Sequence, residues 1–150
     1  MRIVLATLMA MILIGCADND SQSTVTQVAQ PKEMFKWKLV TTWPKNYPGL
    51  GLAPENFASK VAAMSAGRLK IKVYGAGQLV PAFEVFDAVS QGTAELGHGA
   101  SYYWTGKAKA AAFFTSVPFG LNAQEMNGWL HYGGGLELWR ELYDEFNLVP

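Results

Sequence analysis

Cysteine is almost missing: the 150 residues contain one, Cys16. That excludes an internal disulfide and any cysteine-based zinc site. Net charge is missing as well, since 12 Lys and Arg stand against 12 Asp and Glu. A nucleic-acid surface requires a basic face, so no nucleic-acid partner is expected. Histidine is limited to His98 and His131. No Ser-His-Asp order, HExxH spacing or phosphate-binding glycine pattern accompanies them. Gly75-Ala76-Gly77 follows a strand-like run but lacks the third glycine of a dinucleotide fingerprint. Glu84, Asp87 and Glu95 read as solvated element ends, and their spacing supports no catalytic carboxylate pair. No catalytic residue is assigned and no enzyme is expected.

Apolar and aromatic residues are plentiful. Half the chain is hydrophobic, with five Trp, six Tyr and eight Phe. Such a composition, at this length, suits one globular domain with a real core. The longest apolar run, Ile3 to Ile14, is too short to span a bilayer and follows Arg2, as in a signal peptide. It ends in Leu13-Ile14-Gly15-Cys16, which resembles a bacterial lipobox. Residues 1–16 are therefore read as a lipoprotein signal, with Cys16 as the lipidated residue and anchor in a membrane. An ordinary secretory signal with a chance cysteine is the alternative. Residues 17–33 are polar and aperiodic and read as a flexible tether.

The folded part, residues 34–150, opens with an alternating strand over Phe35 to Thr42, stopped by Trp43-Pro44. A loop of turn formers, Lys45 to Gly51, leads to a helix over Leu52 to Ala66 with Phe57, Val61 and Met64 at helical spacing. Arg68 to Tyr74 is strictly alternating, with Leu69, Ile71 and Val73 on one face and cations on the other. Pro81 can start a helix over Ala82 to Gln91, whose Phe83, Val85, Phe86 and Val89 are expected to face a core. Gly92 stops it, and Glu95 to Ala100 reads as a buried strand. The order strand, helix, strand, helix, strand predicts an α/β fold with a mostly parallel sheet flanked by helices.

Beyond it, Ala108 to Phe114 is a short helix or strand, and Thr115 to Leu121 a strand end and turn. Asn122 and Glu125 make a capping-box pattern before Met126, Trp129 and Leu130. Gly133 to Gly135 break that helix. Leu136 to Phe146 is a second amphipathic one, carrying Leu138, Leu142 and Phe146 on one side and Arg140 as a surface ion-pair residue. Leu148 and Val149 look like the start of a strand, an abrupt end that suggests a polypeptide cut short.

Tyr102, Tyr103 and Trp104 stand together after the third strand, and Trp43 follows the first. Aromatic side chains at the C-terminal ends of parallel strands either cover a core edge or line a ligand site. His98 is read either as a donor to a ligand oxygen or as a satisfied core histidine. His131 is read as a surface or packing residue.

The blocks VPAFEVFDAVSQGTAELGHGASYYWTGK, FFTSVPFGLNAQEMNGWLHYGGGLELWRELY and VTTWPKNYPGLG resemble the solute-binding proteins of tripartite ATP-independent periplasmic (TRAP) transporters. The pattern is of the DctP type, most similar to the branch that binds 2-oxo acids such as pyruvate. The resemblance covers essentially Met34 to Pro150. It implies a two-lobed periplasmic binding protein that captures a small organic acid for TRAP membrane permease subunits, with residues 34–150 holding most of a truncated first lobe. It further implies a substrate wall of Trp43, His98, Tyr102, Tyr103 and Phe119, with a tyrosine hydroxyl donating to the ligand. The carboxylate-binding arginine, and the ligands of a sodium ion bridging the acid, are expected in a later half. No cofactor is expected within these residues, and a homodimer of the full-length protein stays open. The lipobox departs from relatives with a cleaved, soluble signal. A lipoprotein sensor for organic acids, and an enzyme using His98 as base, are the alternatives.

Overall fold

The computed structural model describes residues 33–150. The expected signal segment, Cys16 and most of the tether lie outside the described residues. No helix among the described residues is long and apolar enough to cross a membrane.

Three parallel strands form the sheet, in the order β2-β1-β3. Strand β1 is Phe35–Thr41, β2 is Leu69–Tyr74 and β3 is Leu96–His98. The central strand pairs Leu39 with Val73 on one side and with Leu96 on the other. Alternation fixes this register, because a one-residue slip would turn every apolar side chain to the opposite face. On one face Leu39, Val73, Ile71 and Leu96 meet Ala58 of helix α1, Leu52–Met64. On the other, Val40 meets Val85, Phe86 and Ala88 of helix α2, Val85–Ser90. As expected, Lys70 and Lys72 lie on the exposed face of an edge strand.

Several expected faces are corrected. Helix α1 buries Pro54 and Ala58, whereas Phe57 is half exposed and Met64 is 88% exposed. Small side chains sit closest to the sheet, so the larger ones are displaced outward. The expected helix over Ala82 to Gln91 starts instead as a 3-10 helix, Ala82–Glu84. Phe83 on it is largely exposed rather than in the core. Strand β3 is shorter than expected and half buried, at the sheet edge. Just before it, the Glu95 carboxylate rather than a carbonyl accepts the Lys38 N–H, at 2.6 Å.

Two further 3-10 helices follow, Ser101–Trp104 and Lys109–Phe114. Thr115 to Leu121 forms no strand. Pro118 has no N–H for a ladder, and the Gly120 N–H closes a turn on the Val117 carbonyl at 2.9 Å. Helix α3, Ala123–Tyr132, begins in the expected capping box: Asn122 accepts from Gln124 and Glu125 N–H, and Glu125 accepts from Asn122 N–H. Helix α4, Gly135–Asp144, follows after one sharp corner. A Cβ on Gly135 would lie 2.7 Å from the Trp129 ring, so glycine is what lets the ring lie on the α4 start. Leu138 is 53% exposed, and the buried residues of α4 are Gly135 and Tyr143. Arg140 is exposed, but neither ion pair found among the described residues includes it. Leu148 and Val149 form no strand; Leu148 packs on the core instead.

Candidate functional site

All three strands point the same way, so the loops that follow them emerge on one edge. Backbone hydrogen bonds tie these loops together. Thr42 N–H donates to the His98 carbonyl at 3.0 Å, and Ala76 N–H donates to the Trp43 carbonyl at 3.0 Å. Trp43 N–H donates in turn to the Thr41 hydroxyl oxygen at 3.2 Å. The Trp43 backbone is thereby held between the ends of the strands.

The rings then form a continuous wall. Trp43 lies 4.9 Å from the His98 ring and 6.2 Å from Tyr103, centre to centre. Tyr103 meets Tyr102 edge-on at 4.6 Å and Phe83 at 5.2 Å. Edge-to-face geometry of this kind is favoured by the ring quadrupoles. Three adjacent aromatic residues cannot all point one way. The 3-10 turn sends Trp104 into the core against Phe86, at 5.6 Å, and leaves Tyr102 exposed and Tyr103 half-buried against the core's edge. Gly99 makes room for this, since a Cβ there would meet Trp104 at 2.4 Å. Ser101, buried to 1% exposure, pins the turn by donating to the Ala111 carbonyl at 2.6 Å and meeting the Thr115 hydroxyl at 2.7 Å. Lys107, paired with Asp87, ties the end of the loop to α2.

The wall is uncharged. Burial holds His98 below its ordinary value of 6.5, so the ring is neutral at neutral pH. The neighbouring Tyr102 side chain, and then burial, hold Tyr103 above 10.0, which keeps its hydroxyl a donor. The His98 Nδ1 lies 3.1 Å from the Thr41 hydroxyl. Such a surface can stack on a small planar solute, shed its water and offer neutral donors to its oxygens. It cannot neutralise an anion by itself. Nor do three or more His, Cys, Asp or Glu side chains converge as a metal site among the described residues.

The structure brings Trp43, His98, Tyr102 and Tyr103 together. Phe119 is not among them: it is fully exposed, in a left-handed turn, and joins none of the ring pairs found. Phe83 and Thr41 also touch this ring cluster, through Tyr103 and through His98 and Trp43, and neither is expected there from the sequence. The spacing of Phe83 on its helical segment predicts a core position, but the residue is 62% exposed. Thr41 had a readable signal, a hydroxyl two residues before Trp43, where Ser and Thr side chains bond the backbone. A separate apolar groove of about 730 Å³, lined by residues such as Phe113, Trp129 and Leu138, lies away from these rings.

Residues 39–149 match the model of a known family, bacterial extracellular solute-binding protein, family 7. The chain is 44% identical over 137 residues to a monocarboxylate 2-oxoacid-binding periplasmic protein from Nostoc, covering 91% of this chain and 36% of that one. Two solved structures are also similar. One is a TRAP periplasmic solute-binding protein from Pseudoalteromonas atlantica with bound sodium and pyruvate, at 45% identity and a TM-score of 0.74. The other, from Colwellia psychrerythraea with bound calcium and pyruvate, has 44% identity and a TM-score of 0.74. In both comparisons 76% of this chain aligns with 35% of the other. The chain thus spans about a third of the length of these relatives. With the parallel α/β fold and the family match agreeing over the same residues, the chain belongs to the bacterial extracellular solute-binding proteins of family 7.

Proposed function

We propose that the protein is the solute-binding subunit of a TRAP transporter, taking a small 2-oxo monocarboxylate such as pyruvate in the periplasm and delivering it to a membrane permease. The observation that carries this reading is the Trp43–His98–Tyr103 wall at the C-terminal strand edge. It occurs in a chain 44% identical to a 2-oxoacid-binding protein and 45% identical to one solved with pyruvate. In this reading residues 34–150 hold most of the first lobe of a clamshell. Their rings grip the flat face of the acid and exclude water, which strengthens charge-assisted bonds inside the cleft. A tyrosine hydroxyl of the Tyr102–Tyr103 pair donates to a ligand oxygen. The positive charge that neutralises the carboxylate comes from outside these residues.

The neighbours hold sodium or calcium beside pyruvate. In this reading the ligands of such an ion come from outside residues 34–150. Residues 1–16 act as a lipoprotein signal, Cys16 takes the lipid, and residues 17–33 leash the domain to the membrane. The protein binds and releases its solute without chemical change.

Calorimetry on the full-length protein tests the ligand. Pyruvate or a longer 2-oxo acid should bind, and Tyr103→Phe should weaken binding about tenfold, as for a lost hydrogen bond to a charged partner. Absence of binding by every 2-oxo acid tried rejects the ligand class. Lipid labelling that persists in Cys16→Ser rejects the anchor.

A further inference from the structure

Thr41 is 2% exposed, so water does not reach it freely. Its Oγ1 has two hydrogen-bond neighbours among the described residues: the Trp43 N–H at 3.2 Å and His98 Nδ1 at 3.1 Å. A hydroxyl has one proton to give and two lone pairs with which to accept. The Trp43 N–H occupies one lone pair. The hydroxyl proton then has one acceptor in reach, and that acceptor is Nδ1. If Nδ1 carried the proton instead, the threonine proton would be buried without an acceptor, at the full cost of its desolvation.

We infer that Thr41 sets the tautomer of His98, donating to Nδ1 so that the neutral ring carries its proton on Nε2. The hydrogen bond made by one ring nitrogen decides the state of the other. With Nδ1 engaged, Nε2–H is the ring's free polar group, and it is a donor. It suits a carboxylate or oxo oxygen and disfavours a cation or a ligand N–H. The same oxygen holds the Trp43 backbone, so one side chain orients two neighbouring rings of the wall. Thr41 is a positioning residue that acts through His98. The ligand half of this inference rests on the solute-binding reading above; the tautomer does not.

The test is long-range proton–nitrogen NMR of the imidazole nitrogens in the full-length protein at neutral pH. His131→Gln identifies which signals belong to His98. The expected spectrum shows His98 Nδ1 as an unprotonated nitrogen and Nε2 as a protonated one. A protonated Nδ1, or an even mixture of tautomers, overturns the inference. Thr41→Val removes the hydroxyl at nearly constant volume and should shift the ring toward a mixture, while Thr41→Ser should keep the original pattern. An unchanged spectrum in Thr41→Val also overturns it. Should Thr41→Val not fold, the wild-type and Thr41→Ser spectra decide. In pyruvate titrations, Thr41→Val should bind about tenfold more weakly and Thr41→Ser nearly as well as wild type. If wild type binds no 2-oxo acid, the ligand class proposed above fails while the spectrum still decides the tautomer. If pyruvate binds but Nδ1 is protonated, only the role of Thr41 fails.

Discussion

Helices α2 and α3 are both short, and they hold their shape by opposite means. Helix α2 has six residues and no side-chain cap, yet buries Val85, Phe86 and Ala88. Helix α3 has ten residues and a complete capping box, yet buries none. Isolated helices of these lengths are marginal in water. So α2 exists because the sheet and Tyr143 cover it, while α3 exists largely because its own first turn is satisfied. The stacked rings of Trp129, Phe114 and Trp139 add support at the far end of α3, at 5.7 and 5.3 Å. Helix α2 should therefore melt only with the whole fold, and α3 should be able to open alone.

Phe86→Ala is the strongest way to break that contrast. Phe86 is 4% exposed and meets Trp104, Tyr143 and Phe146. Its loss should cost about 3–5 kcal/mol and lower the global denaturation midpoint, read by any probe. Next is Gly99→Ala, whose Cβ would collide with Trp104 at 2.4 Å. Overpacking of this kind should cost about 1–3 kcal/mol, again globally, and Trp104 fluorescence should report it. Asn122→Ala should cost about 1 kcal/mol, the usual worth of an N-cap. Hydrogen exchange should speed up in α3 and stay unchanged in α2. Equal acceleration in both helices would mean that α3 is not an independent unit.

The same contrast explains what could be read in the sequence. The capping box of Asn122 and Glu125 was legible because both partners lie within four residues. The strict alternation of Leu69 to Tyr74 was legible because period two has one interpretation on a half-buried sheet. The order of elements was then enough to indicate the parallel sheet. What tertiary packing decides was not legible. The stripe of Phe57 and Met64 on α1 looked like a core face, but the sheet accepted Pro54 and Ala58 instead. Phe83, expected in the core from its spacing, and Phe119, assigned to the substrate wall by resemblance, are both exposed, one beside Tyr103 and one in a left-handed turn. Of the wall, the rings near the strand ends could be chosen from their positions. Their division into Trp104 inside, Tyr103 at the core's edge and Tyr102 exposed depended on a 3-10 turn that the sequence does not announce.

The smallest expected effect concerns acid, and it sharpens the difference between the two helices. Burial lowers the folded pKa of His98 below its ordinary 6.5. The unfolded chain therefore binds the proton first as pH falls. The stability that comes from a neutral His98 is complete above 6.5 and is lost as the pH drops through the lowered folded value. Urea midpoints measured between about pH 7.5 and 5 should decline on the acid side, before most carboxylates titrate. In His98→Asn that part of the slope should flatten. Because His98 sits on the sheet, the loss is one of global stability, and exchange in α2 should follow it. Exchange in α3, which opens locally from its own cap, should depend on this histidine far less. A slope retained in His98→Asn would place the acid sensitivity elsewhere, and an α3 that tracks α2 through the titration would join the two helices into one cooperative unit.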